Sequence, residues 1–243
     1  MIYLENPLSV SSSDIRSVIA DSGFVVFKDF INIDMETLRD RLCDLSNPLP
    51  DKPSKLNLSN PISVFKKINL GDFGEFGEFP RFFRTIYTPY WLDGCEFTSH
   101  LFKPLIKLRN HIADLPLDFA LKPDLGKSVW SGCRFQHYFS GGGFFSEHRD
   151  IIVEKISNKI SAPTIQLVAL ISSKGTDFEF GGATIRNSKG ELNNIEDYAK
   201  SGDVIAYDAN STHGVLPIDQ HKQLDFNIRT GRLVALASLY NIM

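Results

Sequence analysis

Two histidines and an aspartate decide what chemistry this chain can do. His148-Arg149-Asp150 places two of them close together, and His213 follows far downstream in Thr212-His213-Gly214-Val215-Leu216-Pro217-Ile218. Two imidazoles and one carboxylate are the ligand set of a non-haem iron(II) site. Three protein ligands on one side of an octahedron leave positions open for exogenous ligands and O2. Such open positions point to catalysis rather than to a structural metal. The spacing also makes a structural demand, because residues two apart in a strand project from the same face. A strand over 144–150 therefore lets His148 and Asp150 reach one ion, and His213 must arrive from a distant strand folded alongside. Gly141-Gly142-Gly143 supplies a backbone that bends sharply just before the first pair.

The elements that must position these groups fall into two textures. Ser11-Ser12-Ser13-Asp14 is a cluster of helix-capping types, Ile15, Val18 and Ile19 follow at helical spacing, and Gly23 ends the helix. Phe24-Val25-Val26-Phe27 reads as a buried strand. A second helix is expected over 35–45, with Leu38, Leu42 and Leu45 on one stripe. Pro, Asn, Ser and Lys make 47–61 a loop, and the Gly/Phe/acid run 71–80 reads as irregular. A long helix is expected from 98 to about 115, with Pro104 near its first turn. Beyond Trp130 come short strands with turn punctuation, expected at 131–140, 144–150, 164–172, 177–186, 204–207, 212–218 and 233–240. Helices first and strands second give an α+β, mainly β layout: an antiparallel barrel or jelly roll supported by N-terminal helices.

Composition narrows the setting. The 243 residues suit one domain, with 1–130 as helical support and substrate-side loops and 131–243 as the β core carrying the metal site. Lys and Arg number 26 against 29 Asp and Glu, a formal net charge of −3, so no overall basic field draws nucleic acid or anionic lipid. Cys43, Cys95 and Cys133 are odd in number and lack metal-like spacing, which reads as reduced thiols in a cytoplasmic protein. The chain opens without a basic start and apolar core, and no run of about 18 apolar residues is present for a membrane span.

The surroundings of the three ligands sharpen the signal. Upstream runs Arg134-Phe135-Gln136-His137-Tyr138-Phe139-Ser140. Downstream come Phe180-Gly181-Gly182-Ala183-Thr184, then Ser201-Gly202-Asp203-Val204, then the His213 segment, and last Thr230-Gly231-Arg232-Leu233-Val234. In that order these motifs resemble the Fe(II)/2-oxoglutarate-dependent dioxygenase superfamily, closest in texture to its prolyl-hydroxylase-like branch, over roughly 134–236. The resemblance implies a double-stranded β-helix (jelly-roll, cupin-like) fold and the use of Fe(II), 2-oxoglutarate and O2 to oxidise an unactivated C–H bond, releasing succinate and CO2. It implies that His148, Asp150 and His213 bind the metal, that Arg232 holds the far carboxylate of 2-oxoglutarate, and that the Tyr138 hydroxyl bonds the same cosubstrate. A guanidinium suits that carboxylate because its planar fork pairs two oxygens. The stretch from His213 to Arg232 is longer than relatives usually show, which leaves Arg229 as a rival; Gly231 before Arg232 and the apolar strand after it favour Arg232. Asp150 also disfavours halogenation, since halogenating relatives carry a small residue there.

The expected substrate is a small molecule: a free or carrier-linked amino acid, or a specialised metabolite. Two alternatives stand beside it, a hydroxylase of a protein or peptide residue and a catalytically silent jelly roll that only binds metal or ligand. The triad together with Arg232 disfavours the last, because merely holding a metal requires no diacid-pairing cation; Arg232 also discriminates against a cupin-like dioxygenase that needs no 2-oxoglutarate. Arg134, Gln136 and Gln166 either line the pocket or make structural hydrogen bonds. Arg81 and Arg84, with Tyr87 and Trp91, either bind an anionic substrate or form a packed aromatic segment with exposed arginines. Oligomeric state is left open.

Overall fold

The computed structural model describes residues 3–4, 7–52, 63–71, 73–74, 77–123 and 129–241. Its strands are β1 (Tyr3–Leu4), β2 (Phe24–Phe27), β3 (Asp51–Lys52), β4 (Phe65–Leu70), β5 (Phe73–Gly74), β6 (Gly77–Glu78), β7 (Arg81–Tyr87), β8 (Val129–Tyr138), β9 (Gly143–His148), β10 (Ile165–Leu170), β11 (Gly182–Arg186), β12 (Leu192–Asn194), β13 (Val204–Asp208), β14 (His213–Ile218) and β15 (Arg232–Asn241). The helices are α1 (Ser12–Ser22), α2 (Met35–Ser46), α3 (Ser99–Ile112) and α4 (Ile151–Lys159).

These strands form a mostly antiparallel jelly-roll half-barrel. One layer runs β2-β13-β10-β15-β8-β7, and the other runs β9-β14-β11-β12. Strand β7 joins them: Arg84 to Tyr87 pair with β8, whereas Arg81 and Phe82 pair with β9. Alternation along the strands of the first layer builds two cores. Val25, Phe27, Leu167, Ala169, Cys133, Phe135, Leu233 and Ala235 pack outward on the helices, whose apolar stripes bring Ile15, Ile19, Leu38, Leu42, Leu101 and Leu105. Phe24, Val26, Leu170, Ile205, Tyr207, Val234 and Leu236 face inward with Ile185 and Val215 of the second layer. Ile205, Tyr207, Val234, Leu236, Ile185 and Val215 of this set wall the site.

Helix boundaries follow local chemistry. Ser11 caps α1 by accepting from the Asp14 N–H, and Gly23 stops it in the left-handed region at φ 87° while donating to the Ile19 carbonyl. Pro104 lies in the second turn of α3, deeper than its expected place near the start. Several other expectations are corrected. The strand expected at 177–186 occupies only Gly182–Arg186, because 173–178 turns back on itself through bonds from the Gly175 N–H to the Phe178 carbonyl and from the Asp177 N–H to the Ser173 carbonyl. Strand β9 ends at His148, so the strand expected to run to residue 150 stops two residues early and α4 follows directly. Strand β2 forms where expected, and β4 and β7, which the sequence pattern did not mark as strands, join it in the main sheet. Within the run 71–80, β5 and β6 pair as a short antiparallel ladder. Asp51 and Lys52 form a strand inside the expected 47–61 loop, and residues 53–61 of that loop lie outside the described residues. No helix among the described residues is long and apolar enough to cross a membrane.

Candidate metal centre

His148 and His213 face each other in register across β9 and β14, so antiparallel pairing alone brings together two residues 65 positions apart in sequence. Their ring centroids are 4.4 Å apart. Asp150 reaches the same point from the turn between β9 and α4, not from the strand. Its N–H donates to the Ala209 carbonyl at 2.9 Å, and its own carbonyl accepts from the Glu154 N–H of α4. The turn that ends β13 therefore fixes the aspartate, and the i, i+2 spacing works through a bend rather than through a shared strand face.

The three side chains offer ligand atoms that all lie within 4.8 Å of one another. Nε2 of His148 is 3.7 Å from one Asp150 oxygen, and Nε2 of His213 is 3.6 Å from the other. Each imidazole has its Nδ1 at 2.8 Å from a carbonyl two residues earlier, Ser146 for His148 and Ser211 for His213. A carbonyl only accepts, so Nδ1 carries the hydrogen and Nε2 presents its lone pair to the common point. Burial, reinforced by the neighbouring His213, holds His148 down to a pKa of about 4, which keeps it in the neutral form a metal requires. Phe145 stacks on His148 at 3.6 Å and fixes its ring plane. Gln166 donates from Nε2 to Asp150 at 3.2 Å and accepts from the Ser238 hydroxyl at 2.9 Å. The donor set, the tautomers and the supporting bonds all fit a divalent metal.

Beside the triad lies a cavity whose polar lining includes Arg134, Gln136, Tyr138, Gln166 and Arg232. Arg232 and Tyr138 are cross-strand partners on β15 and β8, with the guanidinium carbon 5.5 Å from the ring centroid. Nε of Arg232 donates to Glu196 at 2.5 Å, and the other Glu196 oxygen accepts from the Ala183 N–H at 2.7 Å. Both members of this ion pair are almost fully buried. The Tyr138 hydroxyl donates to Gln136 at 3.0 Å, and burial raises its pKa above the ordinary phenol value, so it remains a donor. Arg229 lies elsewhere: its side chain is half-exposed and pairs with Asp40.

The remaining candidates separate cleanly. Arg81 lines a neighbouring cavity, whereas Arg84 pairs with Asp51 and lies over Phe139 and Phe226. His137 points to the opposite face of β8, where its Nε2 donates to the Thr230 carbonyl. Glu196, which holds the cavity's Arg232, escaped sequence reasoning, as did the lining residues Thr184 and Tyr207. A lone acid 36 positions before Arg232 has no spacing signal; only the close approach of the segment after β12 to β11 brings it there.

Comparison with solved structures places the fold. A 2OG-Fe(II) oxygenase family oxidoreductase from Burkholderia pseudomallei aligns at TM-score 0.53 and 12% identity, covering 99% of this chain and 96% of that one. A prolyl hydroxylase from Trichoplax adhaerens, solved with a hypoxia inducible factor oxygen degradation domain peptide fragment, gives TM-score 0.57 and 11% identity over 95% and 89%. EctD from S. alaskensis, solved with 2-oxoglutarate and 5-hydroxyectoine, gives 0.53 and 15% over 97% and 77%. No family model matches the chain, and no curated protein matches it by sequence. The chain thus shares the jelly-roll fold of these oxygenases.

Proposed function

We propose that this protein is an Fe(II)- and 2-oxoglutarate-dependent oxygenase that hydroxylates a C–H bond of a small molecule. The observation that carries the reading is the convergence of His148, Asp150 and His213 beside a cavity that also contains the Arg232 guanidinium. Nε2 of each histidine and a carboxylate oxygen of Asp150 would hold Fe(II) on one side, leaving the cavity side for the cosubstrate and O2. Arg232 and the Tyr138 hydroxyl would receive the far carboxylate of 2-oxoglutarate. The bond from Nε to Glu196 holds the guanidinium in one orientation before the ligand arrives. Iron with 2-oxoglutarate and O2 supplies the oxidising power, with succinate and CO2 as co-products.

The protein's own share is positioning and exclusion of water. Val168, Ile205, Val234 and Leu236 on one side and Ile185 and Val215 on the other make an apolar sleeve around the polar groups. Low polarity there strengthens the pairing of Arg232 with an incoming carboxylate. Three unpaired thiols and a ferrous centre suit a reducing, cytoplasmic setting. Anaerobic titration of Fe(II) and then 2-oxoglutarate, read by the weak visible charge-transfer band of the chelate, tests this function. A band that appears only with both, and is lost in Arg232→Ala while iron still binds, is the expected result. Absence of the band in the wild type would leave a silent metal-binding jelly roll.

A further inference from the structure

Two buried arginines of this protein differ in a telling way. Arg109 is 2% exposed and makes four hydrogen bonds: two to Asn110, one to the Ser131 hydroxyl and one to the Ala237 carbonyl. Arg134 is 7% exposed, yet its guanidinium makes one long hydrogen bond, 3.4 Å to the Gly132 carbonyl, and lies 5.4 Å from the Tyr240 ring centroid. Among the described residues no carboxylate bonds it, whereas Arg39, Arg84 and Arg232 each have one. Burial works against its charge and Asp150 favours it, but that carboxylate faces the two histidine Nε2 atoms and accepts from Gln166 without bonding the guanidinium. Burying a guanidinium without a counter-charge is costly, and a ligand anion removes the cost.

Arg134 borders two cavities, the one beside Arg232 and an outer one that also includes Phe79, Arg81, Arg149 and Tyr240. Both cavities touch His148 and Asp150, so a molecule in either adjoins the metal centre. The two cavities enclose nearly equal empty volumes, about 600 Å³ outside and about 580 Å³ inside, so the outer one has room for a second small molecule beside the cosubstrate. Among the described residues its wall carries three guanidinium groups and, for acids, Asp150 alone. Arg81 lies over the Phe145 ring at 5.5 Å, so the cations alternate with aromatic faces.

We propose that the outer cavity is the substrate site and that it takes a small molecule bearing a free carboxylate beside an apolar body, with the carboxylate seated on Arg134. This rests on reading the triad as a metal site and the inner cavity as the 2-oxoglutarate site. It selects a free acid over a carrier-linked thioester or an internal peptide residue whose own α-carboxyl is consumed in the thioester or amide bond.

The test uses benzoate and its neutral isostere benzamide as probes. Each is titrated by ligand-observed NMR into protein held with Zn(II) in place of iron and saturating 2-oxoglutarate, so that no turnover occurs. Benzoate binds at least about tenfold tighter than benzamide, the scale of one charge-assisted pairing. In Arg134→Gln that preference disappears while 2-oxoglutarate binding stays; in Arg134→Lys part of it remains, and near-ultraviolet circular dichroism verifies packing in both. Equal binding of the two probes to the wild type overturns the inference. So does an Arg134→Gln variant that loses 2-oxoglutarate instead of benzoate, which would assign Arg134 to the cosubstrate. Failure of Zn(II) or 2-oxoglutarate to bind the wild type, seen before any probe is added, would remove the underlying functional reading and this inference with it.

Discussion

Glu196 and Arg232 form an ion pair almost wholly out of water, with side chains 2% and 3% exposed and Nε 2.5 Å from the carboxylate. Breaking such a pair from one side strands a buried charge and costs about 3–5 kcal/mol, whereas removing both charges is often close to neutral. Glu196→Gln should therefore lower unfolding free energy by roughly that amount. The double variant Glu196→Gln/Arg232→Gln should recover much of the loss. Denaturant unfolding of the wild type, Glu196→Gln, Arg232→Gln and the double variant measures this coupling directly. Additive losses would show that the pair is not the stabilising unit.

Gly231 presents Arg232 to the cavity through a backbone that other residues resist. Its φ is +79°, and a Cβ built there would lie 2.4 Å from the Tyr138 carbonyl oxygen. Gly231→Ala must push β15 away from β8 at the point where Arg232 pairs with Tyr138. A stability loss of about 1–3 kcal/mol should accompany weaker 2-oxoglutarate binding, with metal affinity retained. Calorimetric titration of metal and cosubstrate separates the two, and unchanged cosubstrate affinity would contradict the coupling.

The parts of this site legible in the sequence are those carried by local patterning. His148, Asp150 and His213 stood out because donor types with open coordination positions imply chemistry, and they do converge. Tyr138, Gln136 and Arg134 share one strand face by simple alternation, and all three line the cavity. What escaped was set by tertiary contact. Asp150 sits in a turn because the Ala209 carbonyl captures its N–H. Strands β4 and β7 were hidden in a segment whose charged residues Lys66, Lys67, Arg81 and Arg84 mask the alternation. Asp219, in the long stretch before Arg232, carries no spacing or periodicity signal. It is 1% exposed and accepts from the Glu179 and Phe180 N–H groups and the Ser140 hydroxyl, tying that stretch to the barrel rim.

His137 makes the fold acid-sensitive in a specific window. Burial, with the nearby Arg84 cation, holds its pKa near 4 against an ordinary 6.5, and its Nε2 donates to the Thr230 carbonyl. The unfolded chain thus takes up a proton between about pH 6.5 and 4 that the folded chain refuses, so stability falls as pH drops through that window. The full effect is about 3 kcal/mol, at 1.36 kcal/mol per pH unit. His137→Gln should remove this component. Comparing the pH dependence of unfolding free energy for the two proteins checks it, and parallel curves between pH 6.5 and 4 would refute the assignment.

The metal centre itself admits the most direct measurement. Crystals grown without O2 in Mn(II) and 2-oxoglutarate, with data collected at the manganese edge, locate the ion by its anomalous signal. The account requires one peak roughly 2.0–2.3 Å from Nε2 of His148, Nε2 of His213 and an oxygen of Asp150, ordinary first-row metal bond lengths, with 2-oxoglutarate extending from it to Arg232. A peak elsewhere, or none at this triad with the metal in excess, would contradict it.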